Sequence, residues 1–167
     1  MELSGEKLGK VDKNGRFILP RSMLEELETT LPPQRKGEEK PPLKLWLAPS
    51  VDPCLWILDA SEYRRMQKRL RMQEFGNREL RKLQRKFSML THPETPDNQG
   101  RVLIPPRLRE LAGITDQVLI IGTFHRIELW DPKTFERFES GDMDMDLGQP
   151  SNAWKYDLER VLLGDRQ

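Results

Sequence analysis

The chain has 167 residues, of which 28 are lysine or arginine, 27 are aspartate or glutamate and 36% are hydrophobic. These figures predict one compact soluble domain, or two small halves on a common core, and they exclude a disordered chain. No apolar run approaches the roughly 18 residues of a membrane helix, and the N-terminus lacks the pattern of a secretion signal. A single cysteine, Cys54, excludes an internal disulfide framework, so we expect a cytoplasmic protein.

The chain contains an internal repeat. The segment 12–20, Asp-Lys-Asn-Gly-Arg-Phe-Ile-Leu-Pro, recurs at 97–105 as Asp-Asn-Gln-Gly-Arg-Val-Leu-Ile-Pro, an offset of 85 residues. Further along, Asp59 and Tyr63 match Asp131 and Phe135 at an offset of 72, so the first copy is longer by 13 residues. Because the flanking residues match as well as the motif, we infer a duplication.

The first copy begins with a predicted β-hairpin. Asp12 is suited to the first position of a turn, and Gly15 supplies the positive φ that tightens it. A short strand follows at 17–19, and Pro20 ends that strand and starts a short helix. The excess length of this copy falls at 31–42, where four prolines predict a flexible surface insertion. Strands are then predicted near 43–47 and 55–58, with Asp59 as the N-cap of the next helix.

A basic helix pair is predicted between the copies. Apolar residues recur at helical spacing on both sides of Gly76 and Asn77, which suit a helix end and a new N-cap: Tyr63, Met66 and Leu70, then Leu80, Leu83, Phe87 and Leu90. From residue 64 to residue 86 there are ten lysines or arginines against two glutamates. This charge indicates either a solvated outer face or a second contact surface, for DNA backbone or for an acidic tail of a neighbouring copy.

The second copy repeats the pattern. Two prolines in the segment 90–96 confine its first strand to a sheet edge. A helix with Leu108, Leu111 and Ala112 on one face ends at Gly113, strands follow at 118–121 and 127–130, and Asp131 is the next N-cap. An acidic linker at 141–150 precedes a last helix capped by Ser151, with Trp154, Leu158 and Val161 facing inward.

Four regions follow from these elements. They are a first repeat at 1–62, the basic linking helices at 63–90, a second repeat at 91–138, and the acidic linker with the C-terminal helix at 139–167.

Arg16 and Arg101 occupy equivalent positions beside the two turns. Each could pair with its own turn aspartate, Asp12 or Asp97, and so stabilise the turn. Alternatively, two equivalent arginines on paired hairpins form a cationic edge, whose guanidinium groups can reach guanine or phosphates in a major groove. Lys10, Lys13 and Arg107 would then add phosphate contacts that do not depend on base sequence.

The duplicated Asp-x-x-Gly-Arg motif, with Leu-Trp-Asp-Pro closing the second half, resembles the MraZ family of bacterial transcriptional regulators within the AbrB-like swapped-hairpin superfamily. The resemblance covers about residues 8–138. It implies an α+β fold in which two pseudo-repeated β-α-β halves form one swapped-hairpin barrel with added helices, and subunits that assemble into rings.

The same resemblance implies a repressor that binds promoter repeats of the division and cell-wall gene cluster, located at the nucleoid. It assigns DNA contact to Asp12 with Arg16 and to Asp97 with Arg101. The residues that shape the turns and end the strands are Gly15, Gly100, Pro20 and Pro105.

Other sites are not favoured by the sequence. His92 and His125 lie far apart with no ligands at metal-binding spacing, and Cys54 is interpreted as half-buried packing. The four tryptophans are predicted to pack in the core, and no nucleotide-binding loop or catalytic motif is present. We therefore expect no enzyme activity, cofactor, metal or small-molecule substrate.

Two other functions remain open. One is an antitoxin-type DNA-binding protein, whose tail would have to be the acidic segment 139–150. The other is a structural ring or adaptor protein whose arginines only stabilise turns.

Overall fold

The computed structural model describes residues 1–72, 78–142 and 153–163, which form an α+β fold. The elements follow in the order β1 (Glu6–Lys10), β2 (Arg16–Ile18), α1 (Arg21–Glu28), β3 (Leu45–Pro49), β4 (Leu55–Leu58), α2 (Ala60–Arg71), α3 (Arg78–Leu90), β5 (His92–Glu94), β6 (Arg101–Leu103), α4 (Pro106–Ala112), β7 (Gln117–Gly122), β8 (Ile127–Trp130), α5 (Pro132–Glu139) and α6 (Ala153–Leu163). No described helix is long and apolar enough to cross a membrane.

The strands form one large sheet and one small ribbon. The large sheet is antiparallel throughout, in the order β1-β7-β8-β4-β3-β5, and the ribbon consists of β2 and β6. Among the described residues the large sheet is open, with β1 and β5 at its edges, and no closed barrel is found. The edge position of β5 confirms the prediction made from its prolines, since Pro93 cannot donate to a second neighbouring strand.

The predicted hairpins are wrong in their strand pairing. The turns form, with a hydrogen bond from the Asp12 N–H to the Arg16 carbonyl (2.8 Å) and from the Asp97 N–H to the Arg101 carbonyl (3.0 Å). Beyond each turn, however, the two strands separate: β1 pairs with β7 and β5 with β3, while β2 pairs with β6. This pairing buries Phe17 opposite Val102, which gives each three-residue strand an apolar contact that an isolated short hairpin would lack.

The two motifs are joined by equivalent backbone hydrogen bonds. The Leu19 N–H donates to the Gly100 carbonyl (3.0 Å), and the Ile104 N–H donates to the Gly15 carbonyl (2.9 Å). Residues 19 and 104, like residues 15 and 100, are related by the offset of 85 found in the sequence. The duplication is therefore visible in the hydrogen bonding, where each copy completes the turn of the other.

The large sheet is buried on both faces at β3 and β4. One face packs with the ribbon, α1 and α4, where Leu47, Ile57 and Leu108 are each 0% exposed. The opposite face packs against α2, α3 and α6 through Trp56 and Leu58. Alternate residues of each strand therefore enter different clusters, which explains why the sequence of these strands is almost continuously hydrophobic.

The helix predictions are largely confirmed. The apolar residues that recur at helical spacing in α2 and α3 pack inward, and Leu158 of α6 is fully buried. The Asp59 and Asp131 side chains accept hydrogen bonds at the starts of α2 and α5. Leu111 is an exception, because it is 37% exposed while Leu108 and Ala112 are buried. Leu111 instead lines a surface groove between α4 and α3.

The predicted insertion, the predicted burial of Cys54 and the remaining predicted caps have different outcomes. The insertion is exposed from residue 32 to residue 40 and contains no helix or strand. Cys54 is 1% exposed, so its interpretation as half-buried is wrong. It directly precedes β4, and Lys155 of α6 donates to the Asp52 carbonyl in the loop before it. The expected caps at Gly76, Asn77 and Ser151, and most of the linker 141–150, lie outside the described residues.

Candidate nucleic-acid interface

Each motif turn is held by its aspartate. Asp12 Oδ1 accepts the backbone N–H of Asn14 and of Arg16, both at 2.9 Å, and Asp97 Oδ1 accepts those of Gln99 and Arg101 at the same distance. The hydrogen bond from the arginine N–H is the main cause that lowers the pKa of both carboxyl groups. Both aspartates are therefore ionised at neutral pH, and their main role in this geometry is to fix the turn.

The ribbon presents both motif arginines on one face. Arg16 lies opposite Leu103, and Arg101 lies opposite Ile18, while the buried pair Phe17 and Val102 lies between them. Because side chains alternate along a strand and opposite residues share a face, both arginines, Ile18 and Leu103 are on the outer side. The arginine Cα atoms occupy diagonal positions, which are separated by about 7–8 Å in antiparallel pairs. Ile18, directly opposite Arg101, is 59% exposed.

The two arginines differ in their partners. Arg101 Nε donates to Asp97 Oδ2 at 2.6 Å. This guanidinium therefore stabilises its own turn, which is the first of the two roles that the sequence allowed. The Arg16 side chain is exposed and makes no hydrogen bond or ion pair within the described part of the chain. Only Arg101 thus forms a direct ion pair with its turn aspartate, while the exposed Arg16 guanidinium acts on Asp12 at longer range.

Different side chains cover the two turn glycines. Gly15 and Gly100 have φ values of 83° and 77°, in the left-handed region that favours glycine. A Cβ atom on Gly15 would lie 2.6 Å from Cζ of Arg109, whose Nε donates to the Ile104 carbonyl at 3.1 Å. A Cβ atom on Gly100 would lie 3.6 Å from Leu24. Leu24 is the counterpart of Arg109 in the first copy, at the same offset of 85 residues. Arg109 is therefore part of the structure that supports the first turn.

This difference predicts unequal effects of alanine at the two turns. Gly100→Ala should lower the free energy of unfolding by about 1–2 kcal/mol, the cost of a Cβ atom at positive φ. Gly15→Ala should lower it further, since the new methyl group must also displace Arg109 from Ile104. Urea denaturation of the two variants measures the difference. Equal losses would contradict this role of Arg109.

The remaining predicted contact residues are exposed on elements next to the ribbon in the chain. Lys10 is exposed at the end of β1, and Lys13 is exposed in the first turn. Arg107 is exposed on α4 and lines a groove with α3. Pro20 and Pro105 end the ribbon strands and are the N-caps of α1 and α4.

The other chemically interesting residues have structural environments. His125 lies in the turn between β7 and β8, as predicted, and His92 begins β5. Burial raises the pKa of the Cys54 thiol well above its ordinary value, so the group is protonated at neutral pH. Trp56 and Trp130 are buried, and Trp46 and Trp154 pack partly buried against the cluster around α2 and α3.

The sequence reasoning missed an ion pair between α2 and the β7–β8 turn. Glu62 is 4% exposed, and its Oε1 accepts from Arg126 Nη2 at 3.1 Å. Arg126 also lies over the Trp56 ring, with Cζ 4.6 Å from the ring centroid. The available signal was a glutamate four residues before Met66, in the apolar register of α2, where a buried carboxylate needs a cation from another element.

Comparison with known proteins supplies the family. A family model described as MraZ protein, antitoxin-like, matches residues 89–155, which include the second motif. The transcriptional regulator MraZ of Kineococcus radiotolerans is 36% identical over 134 residues, covering 80% of this chain and 84% of the relative. The chain belongs to the MraZ family.

Further MraZ relatives agree. The transcriptional regulator MraZ of Salinispora arenicola is 32% identical, and the match covers 86% of this chain and 92% of the relative. The transcriptional regulator MraZ of Acetivibrio thermocellus is 35% identical, and the match covers 84% of this chain and 88% of the relative. The MraZ resemblance that the duplicated motif indicated is thus confirmed over most of the chain.

Proposed function

We propose that this protein is a sequence-specific DNA-binding regulator of transcription. The observation that carries the proposal is the ribbon, on which one arginine from each motif lies on the same exposed face. A two-stranded ribbon fits the major groove of B-form DNA, and guanidinium groups on it can donate to the O6 and N7 atoms of guanine. The names of the relatives, which are transcriptional regulators, support this function.

The residue roles follow from positions on the ribbon. Arg16 and Arg101 contact base edges or phosphates, while Asp12 and Asp97 hold the turns that carry them. Ile18, opposite Arg101 on the same exposed face, is placed to contact a thymine methyl group. Lys10, Lys13 and Arg107 contribute phosphate contacts beside the ribbon.

Assembly multiplies these contacts. The subunit has a formal net charge of only +1, so a single copy has a weak long-range attraction for DNA. We propose that several subunits form a ring with their ribbons on one side, which raises the effective concentration of each further contact. The pairing of β2 with β6 then represents the swapped-hairpin arrangement within one chain. Repression of the division and cell-wall cluster and location at the nucleoid are part of the same proposal.

Two other functions remain alternatives. The antitoxin-like description of the family favours a toxin partner, and co-purification of a toxin with this chain would support that function. A structural ring or adaptor protein would need both arginines to be committed to their turns, and the exposed Arg16 argues against it.

The test is a binding titration with the DNA upstream of the gene and with a scrambled duplex, over a series of salt concentrations. We expect tighter binding to the upstream DNA that persists at physiological salt, and a negative slope of log affinity against log salt. Equal binding to both duplexes that disappears with added salt would contradict sequence-specific regulation and favour the adaptor function.

A further inference from the structure

A small hollow lies away from the ribbon, between α2, the β7–β8 turn and α6. Its volume is about 280 Å³, and its lining includes the apolar side chains Met66 and Leu162. All its other lining residues are ionisable, and they come from α2 and from the turn. The proposed contact with DNA uses none of them.

Positive charge predominates in this hollow. Arg65, Arg69 and Arg126 line it, and Glu62 is the carboxylate among the lining residues. Glu62 accepts hydrogen bonds from both Arg65 and Arg126, so its two oxygens are already used. The nearby Glu128 on β8 acts on Arg126 at longer range but does not line the hollow. The lining therefore carries a surplus of positive charge that its own carboxylate does not balance.

Several donors in the hollow have no acceptor among the described residues. Arg126 directs Nη2 to Glu62 and to His125, and its other N–H groups have no acceptor in the described ranges. Arg69, one turn beyond Arg65 on α2, makes no ion pair with any described residue. Its positive charge and that of Arg65 nevertheless act on Arg126, which is largely buried. A mostly buried guanidinium with unused donors favours an anionic acceptor.

His125 can add a neutral donor. Burial, together with the charges of Arg126 and Arg65, lowers the pKa of His125, so the ring is neutral at pH 7. Its Nε2 lies 2.7 Å from Arg126 Nη2. Because arginine only donates, Nε2 must accept, and the ring proton is then on Nδ1.

We propose that this hollow binds a phosphate group, either inorganic phosphate or the phosphate of a small phosphomonoester, through Arg65, Arg69 and Arg126. A phosphate dianion balances the surplus charge of the hollow. Its oxygens accept several guanidinium N–H groups at once, a geometry for which arginine is better suited than lysine. The proposal is independent of the function of the ribbon, since the two surfaces share no residue.

Isothermal titration calorimetry with inorganic phosphate tests the site. Chloride replaces phosphate in the reference so that ionic strength stays constant. We expect saturable binding of one phosphate per subunit. Arg69→Gln should weaken this binding by about tenfold or more, because a charge-assisted contact is lost. The variant should fold normally, since the Arg69 side chain is exposed and its charge is not used in any described ion pair.

Lys68→Gln is the matched control. Lys68 precedes Arg69 on the same helix and is exposed, but it does not line the hollow. We expect its phosphate affinity to equal that of the unchanged protein. An equal loss in both variants, or the absence of saturable binding, would overturn the proposal.

A third measurement separates a free phosphate from the backbone of DNA. Unrelated duplex DNA is titrated into the Arg69→Gln and Lys68→Gln proteins. The proposal predicts equal DNA affinities for the two variants. If Arg69→Gln alone lost DNA affinity and phosphate competed with DNA, the hollow would be a DNA-backbone site and the proposal would fail.

Discussion

Replacing Arg16 and Arg101 together by alanine is expected to lower the affinity for the upstream DNA by about hundredfold or more. A good arginine–guanine contact is worth about 1–3 kcal/mol, and each subunit loses two such contacts. The unfolding temperature should change little, because both side chains lie on the outer face of the ribbon. Fluorescence anisotropy at physiological salt measures the affinity, and circular dichroism checks the fold.

Arg137→Ala is the control for this double variant. Arg137 is an exposed arginine in the last turn of α5, outside both motifs. Its removal lowers the net charge without changing the ribbon, so the affinity should stay within about twofold of the unchanged protein. An unchanged affinity in the double variant would contradict the assignment of Arg16 and Arg101. An equal loss in the control would attribute binding to net charge.

The two single variants should differ in stability. Arg101→Ala removes the ion pair with Asp97 and should weaken the second turn slightly, whereas Arg16→Ala removes no such contact. Comparable stability losses would show that Arg16 also stabilises its turn in solution.

Glu62→Gln is expected to lower the free energy of unfolding by about 3–5 kcal/mol. Removing one member of a buried ion pair leaves the other charge without its direct partner, and that cost is typical of such changes. Here the remaining charge is the Arg126 guanidinium, whose side chain is 14% exposed and lies over Trp56. Glutamine keeps the size of the side chain, so the loss reports charge rather than packing. Urea denaturation measures it.

Glu25→Gln is the matched control for Glu62→Gln. Glu25 also pairs with an arginine, Arg21, at 2.8 Å, but these two side chains are 61% and 90% exposed. Water solvates both charges in the absence of the pair, so no measurable change in stability is expected. If both variants unfolded at the same urea concentration as the unchanged protein, burial of the Glu62 pair would not matter to stability.

The local elements could be predicted because their causes are local in the sequence. The Asp-x-x-Gly turns, the N-caps and the apolar spacing of α2 and α3 depend on residues within a few positions of each other.

The pairing of distant segments could not be predicted in the same way. The ribbon joins residue 16 to residue 103, and the Glu62–Arg126 pair joins two elements that are far apart in the chain. Neither segment has a local pattern that identifies its partner. A turn followed by a short apolar strand fits a local hairpin equally well, whereas in the structure Phe17 is buried opposite Val102 of the other copy.

The pairing of β1 with β7 has a consequence for how the protein is made. Glu6, near the N-terminus, lies opposite Ile121, and β2 lies opposite β6. During synthesis, β1 and β2 therefore cannot form their strand pairs until residues 101–122, which include β6 and β7, have left the ribosome. Contacts between such distant residues slow folding, and unpaired strand edges are sites of aggregation in the interval. The nascent first half is the stage at which this chain most needs protection by a chaperone.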